Sequence, residues 1–188
     1  MVYYFLFTSS TKSAFIARTL LLSWLYAACS QIIIPLPFNV VPLSLQPAPL
    51  FIATFFFGWH AVNAYWIYLI QGACGLPFFS RFGGGLAHLL GPTGGYLIGW
   101  GLAMMFIAWA QTWARKSFTN TIATLSVTFI MYFACGLFQL ALFVPINKVL
   151  VCGLYPFLIG DLLIKPAMVV SALGCLNNYH HLLNKPRK

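Results

Sequence analysis

Acidic side chains are nearly missing from this sequence. One carboxylate, Asp161, stands against ten Lys and Arg, and charged residues of both signs make up 6% of the chain. A lone acid excludes chemistry that needs a carboxylate pair, and no nucleophile–histidine arrangement is evident. A soluble domain carries about 25% charged and about 45–50% apolar residues; here hydrophobic residues reach 61%. One aqueous core of this size cannot hide so much apolar surface, so lipid has to be the solvent for much of it.

Other absences narrow the reading further. No G-K-[ST] follows any glycine-rich stretch, so the chain has no visible ATPase of its own. Cys29, Cys74, Cys135, Cys152 and Cys175 are odd in number and never spaced as C-x-x-C; they read as small apolar packing residues. His60, His88, His180 and His181 show no metal-ligand spacing with acids or cysteines. The net charge of +9 forms no basic stripe and no aromatic–basic module, so nucleic acid is not an expected partner. Met1 to Ser10 lacks a basic leader region and a clear small-residue cleavage site, and is expected to be a mature N-terminus. There is no internal repeat and no low-complexity tail.

What remains is a series of apolar runs. Ala14–Ile34 is long enough to cross a bilayer, which takes about 20 residues. Three prolines within Pro35–Pro42 forbid a regular helix there. Leu43–Gly75 carries no charge at all, Gly75–Gly91 is a glycine-rich break holding Arg81, Pro92–Trp113 is apolar and Arg115-Lys116 follow it. Thr121–Val144 comes next, then a break from Pro145 to Tyr155 with Lys148, then Pro156–Asn177 and a basic tail. The count of spans is decided by charge. With six spans and both termini inside, the cytoplasmic side holds Lys12, Arg18, Arg115, Lys116, Lys185, Arg187 and Lys188, and the outside only Arg81 and Lys148. Five spans give a nearly even split. The positive-inside rule therefore predicts an all-α membrane protein of six transmembrane helices, with both termini cytoplasmic. The expected spans are 14–34, 43–57, 60–74, 92–113, 121–144 and 156–177, forming a single domain. The uncharged segment then has to break near Gly58-Trp59-His60 into two short helices sheltered by their neighbours.

Asp161 sits about five residues into the last span, with Lys165 four residues later. Positions i and i+4 share a helix face, and the acid on the N-terminal side is the better orientation. An intramembrane charge costs about 2.5–3.5 kcal/mol at mid-bilayer and commonly marks a ligand or ion pathway. Pro166 removes a helix hydrogen bond and frees the carbonyl of Leu162, and a charge pair beside a broken helix is one way to build a polar site in a membrane. The alternatives are that Lys165 neutralises Asp161 to fix packing, or snorkels.

Gly83-Gly84-Gly85 and Gly91-Pro92-Thr93-Gly94-Gly95-Tyr96 flank Leu86–Leu90. Pro92 suits a first helical turn, and the following helix start can offer N–H groups to an anion. Equally, the glycines can serve a tight turn and close helix packing. Phe78, Phe79 and Phe82 beside this loop are candidates to cover a ligand.

These motifs carry a resemblance. Pro35-Leu36-Pro37-Phe38 with Val41-Pro42-Leu43-Ser44-Leu45-Gln46 is similar to the P-x-P-F…V-P-x-T-x-Q segment of the BioY family, the biotin-specific S components of energy-coupling factor (ECF) transporters. Gly75-Leu76-Pro77-Phe78-Phe79, Gly83-Gly84-Gly85 and Leu90-Gly91-Pro92-Thr93-Gly94-Gly95-Tyr96-Leu97-Ile98-Gly99 resemble its G-L-P-V-F…G-G-G…L-G-P-T-G-G-Y-L-I-G. Tyr155-Pro156-Phe157 with Gly160-Asp161 resembles its P-F-x-x-G-D. The resemblance runs from Arg18 to Lys165. It implies a six-helix S-component fold, biotin taken from outside, and partnership with a transmembrane coupling subunit and two ATPases. The family's ureido-binding acid falls on Asp161. Its lysine stands three residues after the acid, where Ile164 stands here; Lys165 is one further on but shares the face. Ser44 replaces the usual threonine and keeps the hydroxyl. No family motif residue aligns with Arg81.

On this reading the ureido N–H groups donate to ionised Asp161 and the ureido oxygen accepts from Lys165, so the ligand satisfies both charges. Apolar and aromatic residues of the outer loops, Phe79 among them, enclose the rest. The carboxylate sits near the backbone of Gly83–Gly85, including Gly84, and of Thr93–Tyr96, with Arg81. Gln46 and Tyr96 are further polar candidates. No cofactor is implied. Small-x-x-x-small pairs in the first helix, Ser13/Ala17 and Ser23/Ala27, are candidates for docking the coupling subunit. Two other classes stay open: a secondary transporter using Asp161 as a proton carrier, and a membrane enzyme or chromophore protein with a Schiff base on Lys165.

Overall fold

The computed structural model describes residues 12–34, 43–44, 46–113, 118–157 and 170. Asp161, Lys165, the proline-rich segment 35–42, Arg115, Lys116 and nearly all of the expected last span lie outside the described residues.

Helix α1 runs Lys12–Ser30. It stops short of the expected boundary because Ile32-Ile33-Ile34 are β-branched and precede Pro35, a combination that favours extended backbone. Ile33–Ile34 (β1) instead pairs antiparallel with Leu43–Ser44 (β2), Ile33 opposite Ser44 and Ile34 opposite Leu43. This two-residue ladder joins the two ends of the proline-rich segment. Helix α2 follows at Pro47–Phe57 with proline in its first turn, where no N–H is needed. Gly58 at φ +53° ends it, and α3 runs Trp59–Ala73. The uncharged segment thus breaks into two helices at Gly58. At about 1.5 Å per residue they measure about 16 and about 22 Å, less than the roughly 30 Å of a hydrocarbon core.

A 3-10 turn at Ser80–Phe82 and a five-residue helix α4 (Leu86–Leu90) occupy the glycine-rich loop. Helix α5 is Gly94–Trp113, so Pro92 lies in the turn ahead of the helix rather than in its first turn. Helix α6 is Phe118–Leu140. The stretch after Pro145, read from sequence as a polar break, carries an eight-residue helix α7 (Ile146–Gly153), followed by a 3-10 turn at Tyr155–Phe157. Lys148 masks it in a hydropathy reading, yet Val149 and Gly153 are buried while Ile146, Leu150 and Val151 face out.

Among the described residues two helices are long and apolar enough to cross a membrane, Lys12–Ser30 and Thr119–Leu140. Their outer faces expose large apolar side chains, with Leu21 69%, Ile130 70% and Phe138 77% exposed. A water-soluble surface rarely gathers such patches.

The most extensive packing joins α5 to α6. It depends on glycine. A Cβ on Gly95 would lie 2.4 Å from the Cys135 carbonyl oxygen, and one on Gly99 2.9 Å from the Tyr132 Cα. The spacing is small-x-x-x-small, which lets backbones approach closely in membranes. From the other side, the ring of Tyr96 lies against Gly136. Helix α1 packs on α3, where Ser23 Oγ donates to Gln71 Oε1 at 3.0 Å. Between these two pairs lies an aromatic core of Tyr26, Phe51, Tyr65, Tyr68 and Tyr132, all under 2% exposed.

Candidate ligand-binding site

The loop that follows α3 folds back over its C-terminal end. Gly85 N–H donates to the Gly72 carbonyl at 2.7 Å, and a Cβ on Gly84 would strike the Leu76 carbonyl. Phe79 and Gly83 exchange backbone bonds of 2.9 and 3.2 Å. This closes a tight turn in which Arg81 (φ +60°) and Phe82 (φ +55°) are both left-handed. Neither is glycine, and each such residue costs about 1–2 kcal/mol. Both are exposed. The turn therefore persists because its surroundings hold it.

Two aromatic rings point inward from it. Phe79 is fully buried and lies over Gly72, in the space a side chain there would fill. It meets Tyr68 edge-on at 5.7 Å and stacks on His88 at 5.0 Å. Phe78 stacks on Tyr68 at 6.3 Å and takes Trp24 against its edge. Tyr65 continues the aromatic wall at 5.4 Å from Tyr68 and donates its hydroxyl to the Leu97 carbonyl at 2.8 Å. Gln46, at the start of α2, is buried and lies beside the Tyr68 hydroxyl together with Ser30.

That hydroxyl meets neither neighbour in hydrogen-bond geometry. Tyr68 Oη, Trp100 Nε1 and His88 Nε2 are buried without a hydrogen-bond partner among the described residues. Buried polar groups are normally paired, and leaving one unmade costs about 1–3 kcal/mol. Burial also lowers the His88 pKa below its ordinary value, keeping the ring neutral against Phe79. Tyr68 and His88 thus leave polar capacity beside a packed aromatic cluster, while Trp100 packs on Tyr132.

Of the residues expected from sequence, the structure brings Gln46 and Phe79 together around Tyr68. Arg81 is on the exposed tip of the turn and Gly84 on its exposed flank. Thr93 precedes α5 and is half-buried. Here the helix start offers an anion less than expected, since Gly94 N–H donates to Gly91 at 3.1 Å and Tyr96 N–H to Thr93 at 3.2 Å. Gly94 and Gly95 are buried against Leu89 and α6, so close packing accounts for them. The Tyr96 hydroxyl donates to the Gly153 carbonyl at 2.8 Å, which ties α5 to the end of α7.

The docking expectation needs correcting. Ser13 and Ala17 are exposed, but Ser23 (0%) and Ala27 (8%) are buried. Ten residues at roughly 100° each leave the two pairs about 80° apart on the helix, so one faces out and the other packs toward α3.

Several polar residues escaped sequence reasoning. Gln31, just past α1, donates through Nε2 to the Phe79 carbonyl at 3.0 Å and to Ser30 Oγ at 2.9 Å, while its Oε1 accepts from Phe82 N–H at 3.0 Å. Ser30 Oγ donates to the Phe78 carbonyl. Gln139 donates to the carbonyls of Leu89 (2.9 Å) and Gly91 (2.6 Å), holding the far end of the same loop. The available signal was a glutamine at the edge of, or inside, an otherwise apolar run, where a polar group must find a partner.

Comparison with known proteins gives the family and the fold. A Thermotoga maritima protein described as biotin transporter BioY is 34% identical over 145 residues, covering 76% of this chain and 83% of that protein. A Pyrococcus horikoshii protein described as a probable biotin transporter BioY is 39% identical over 106 residues, 56% of this chain. The match spans 62% of that relative's length. The crystal structure of the S-component for biotin from an ECF-type ABC transporter superposes with a TM-score of 0.75 at 24% identity, over 90% of this chain and 95% of that one. That likeness gives the all-α S-component fold. The model of the BioY family matches residues 7–181, nearly the whole sequence, and the chain belongs to the BioY family.

Proposed function

We propose that this protein is the biotin-binding S component of an ATP-driven uptake system, capturing the vitamin on the extracytoplasmic side of a bacterial cell membrane. The observation that carries the reading is family membership across residues 7–181, joined to a buried aromatic cluster in which the Tyr68 hydroxyl has no hydrogen-bond partner among the described residues. The chain crosses the membrane six times with both termini in the cytoplasm, the arrangement that puts most of its cations inside. It is not an enzyme.

In this reading Asp161 stays ionised and accepts the two ureido N–H groups, and Lys165 donates to the ureido oxygen. Charge-assisted bonds of this kind are about twice as strong as neutral ones. Phe79 and Gln46 border the bicyclic ring. Arg81, with the backbone around Gly84 and Thr93, receives the carboxylate, and Tyr96 frames that side through its bond to Gly153. The coupling subunit and its ATPases supply the energy, with Ser13 and Ala17 at the surface they contact.

Reconstituted vesicles test the reading. Biotin should accumulate only when coupling and ATPase subunits are present with ATP. Accumulation driven by a proton gradient through this chain alone would instead make it a secondary transporter.

A further inference from the structure

The loop over the aromatic cluster is held to the end of α1 by the Gln31 amide and the Ser30 hydroxyl. Gln31 Nε2 reaches the Phe79 carbonyl at 3.0 Å and the Phe78 carbonyl at 3.4 Å, and Gln31 Oε1 takes Phe82 N–H at 3.0 Å. Only one orientation of the amide works. Flipped, its oxygen would face carbonyls and its nitrogen would face an N–H. Ser30 Oγ adds a bond to the Phe78 carbonyl. These contacts grip the three residues that matter: Phe78 and Phe79, whose rings lie on Tyr68, and Phe82, whose backbone is left-handed.

A turn with two consecutive non-glycine residues at positive φ keeps that shape only while its neighbours impose it. Further tethers follow the turn in the chain: Gly85 on Gly72, then Gln139 on Leu89 and Gly91. Without Gln31 the turn can relax, and Phe78 and Phe79 lose the backbone that aims them.

We propose that Gln31, supported by Ser30, is a positioning residue for ligand retention: it latches the 78–82 turn onto the end of α1, and its hold sets how fast bound ligand leaves. This rests on reading the aromatic cluster around Tyr68 as a border of the biotin site. Gln31 touches the loop, not the ligand, so it governs release more than the contacts made once the ligand is in place.

Gln31→Glu is the informative variant. It keeps the acceptor for Phe82 N–H, but at neutral pH it aims a carboxylate at two carbonyl oxygens. Biotin release from the purified chain in detergent should then be about tenfold faster than from the native protein at pH 7. Near pH 4.5, about the ordinary range of a glutamic acid, protonation restores a donor, and the ratio of variant to native release should fall toward one. A ratio near one at both pH values overturns the latch. So does a raised ratio that pH leaves unchanged, which would mark general damage. If the variant fails to fold, Gln31→Met keeps the length without the bonds and should still release about tenfold faster at pH 7; native-like release overturns the proposal. Hydrogen exchange of the 78–83 amides without ligand provides an independent readout. Faster exchange in the variant supports the latch, and unchanged exchange overturns it. A native chain that shows this exchange difference but does not bind biotin keeps the latch and removes the biotin reading.

Discussion

Gly95 and Gly99 lie in a helix interface where a Cβ would meet the backbone of α6, while Gly85, at φ +85°, has nothing within 4 Å of where its Cβ would stand. One residue type serves two ends. On α5 the glycines remove bulk so that two helices form a stiff wall. In the loop, Gly85 at positive φ permits a turn that side chains disfavour, and the loop is then tied down by Gln31 and Gln139. On the wall the Tyr96 hydroxyl is committed to Gly153, and the Leu97 carbonyl accepts from Tyr65 of α3. Among the described residues, Tyr68 and His88 on the loop side, and Trp100 on α5, have atoms buried without a hydrogen-bond partner. A binding protein needs both: a rigid floor that fixes geometry, and a less settled cover with polar capacity left for a ligand.

The sharpest way to break this contrast is to add the same methyl group to each region. Gly95→Ala should lower unfolding stability by about 3 kcal/mol, because backbone cannot move aside cheaply. Gly85→Ala should cost about 1 kcal/mol, the conformational penalty alone. Thermal or denaturant unfolding in detergent compares them, and equal losses would erase the distinction.

Tyr96→Phe comes next. Its bond to Gly153 is buried, and losing it should cost about 1 kcal/mol of stability, with biotin affinity falling no further than that. A larger affinity loss would assign the hydroxyl to the ligand instead of the wall.

The smallest effect is one of pH on the loop. Burial lowers the His88 pKa, so the folded state prefers the neutral ring and the unfolded state binds the proton more readily. His88 therefore supports the loop fully above about pH 6.5, its ordinary value, and loses that support as pH falls below it. His88→Phe keeps a ring on Phe79 and should flatten this part of the pH dependence of exchange in residues 79–88. An unchanged slope would place the titration elsewhere.

Much of this was legible in the sequence, and the reasons differ by residue. The break at Gly58 followed from charge balance, since an uncharged run can be divided only by topology. The place of Phe79 beside the glycine loop was legible, but its burial over Gly72 was not. The family pattern was carried by turn chemistry, where few residues fit. Gln31, Ser30 and Gln139 were not legible, because their partners are backbone carbonyls 47–50 residues away, and a carbonyl leaves no mark in a sequence. The inward turn of Ser23 and Ala27 was missed because small-x-x-x-small spacing says that a face is small, not which neighbour it meets. Helix α7 was hidden by Lys148, which a hydropathy reading counts as a break although one lysine on an outward face suits a short amphipathic helix.

The most direct test is a calorimetric titration of the ligand-stripped protein in detergent with biotin, alongside Asp161→Asn. The account predicts tight one-to-one binding by the native chain and affinity at least about tenfold weaker in the variant, through loss of a charge-assisted pair. Folded native protein that shows no saturation, or an Asp161→Asn variant that binds as the native chain does, would contradict it.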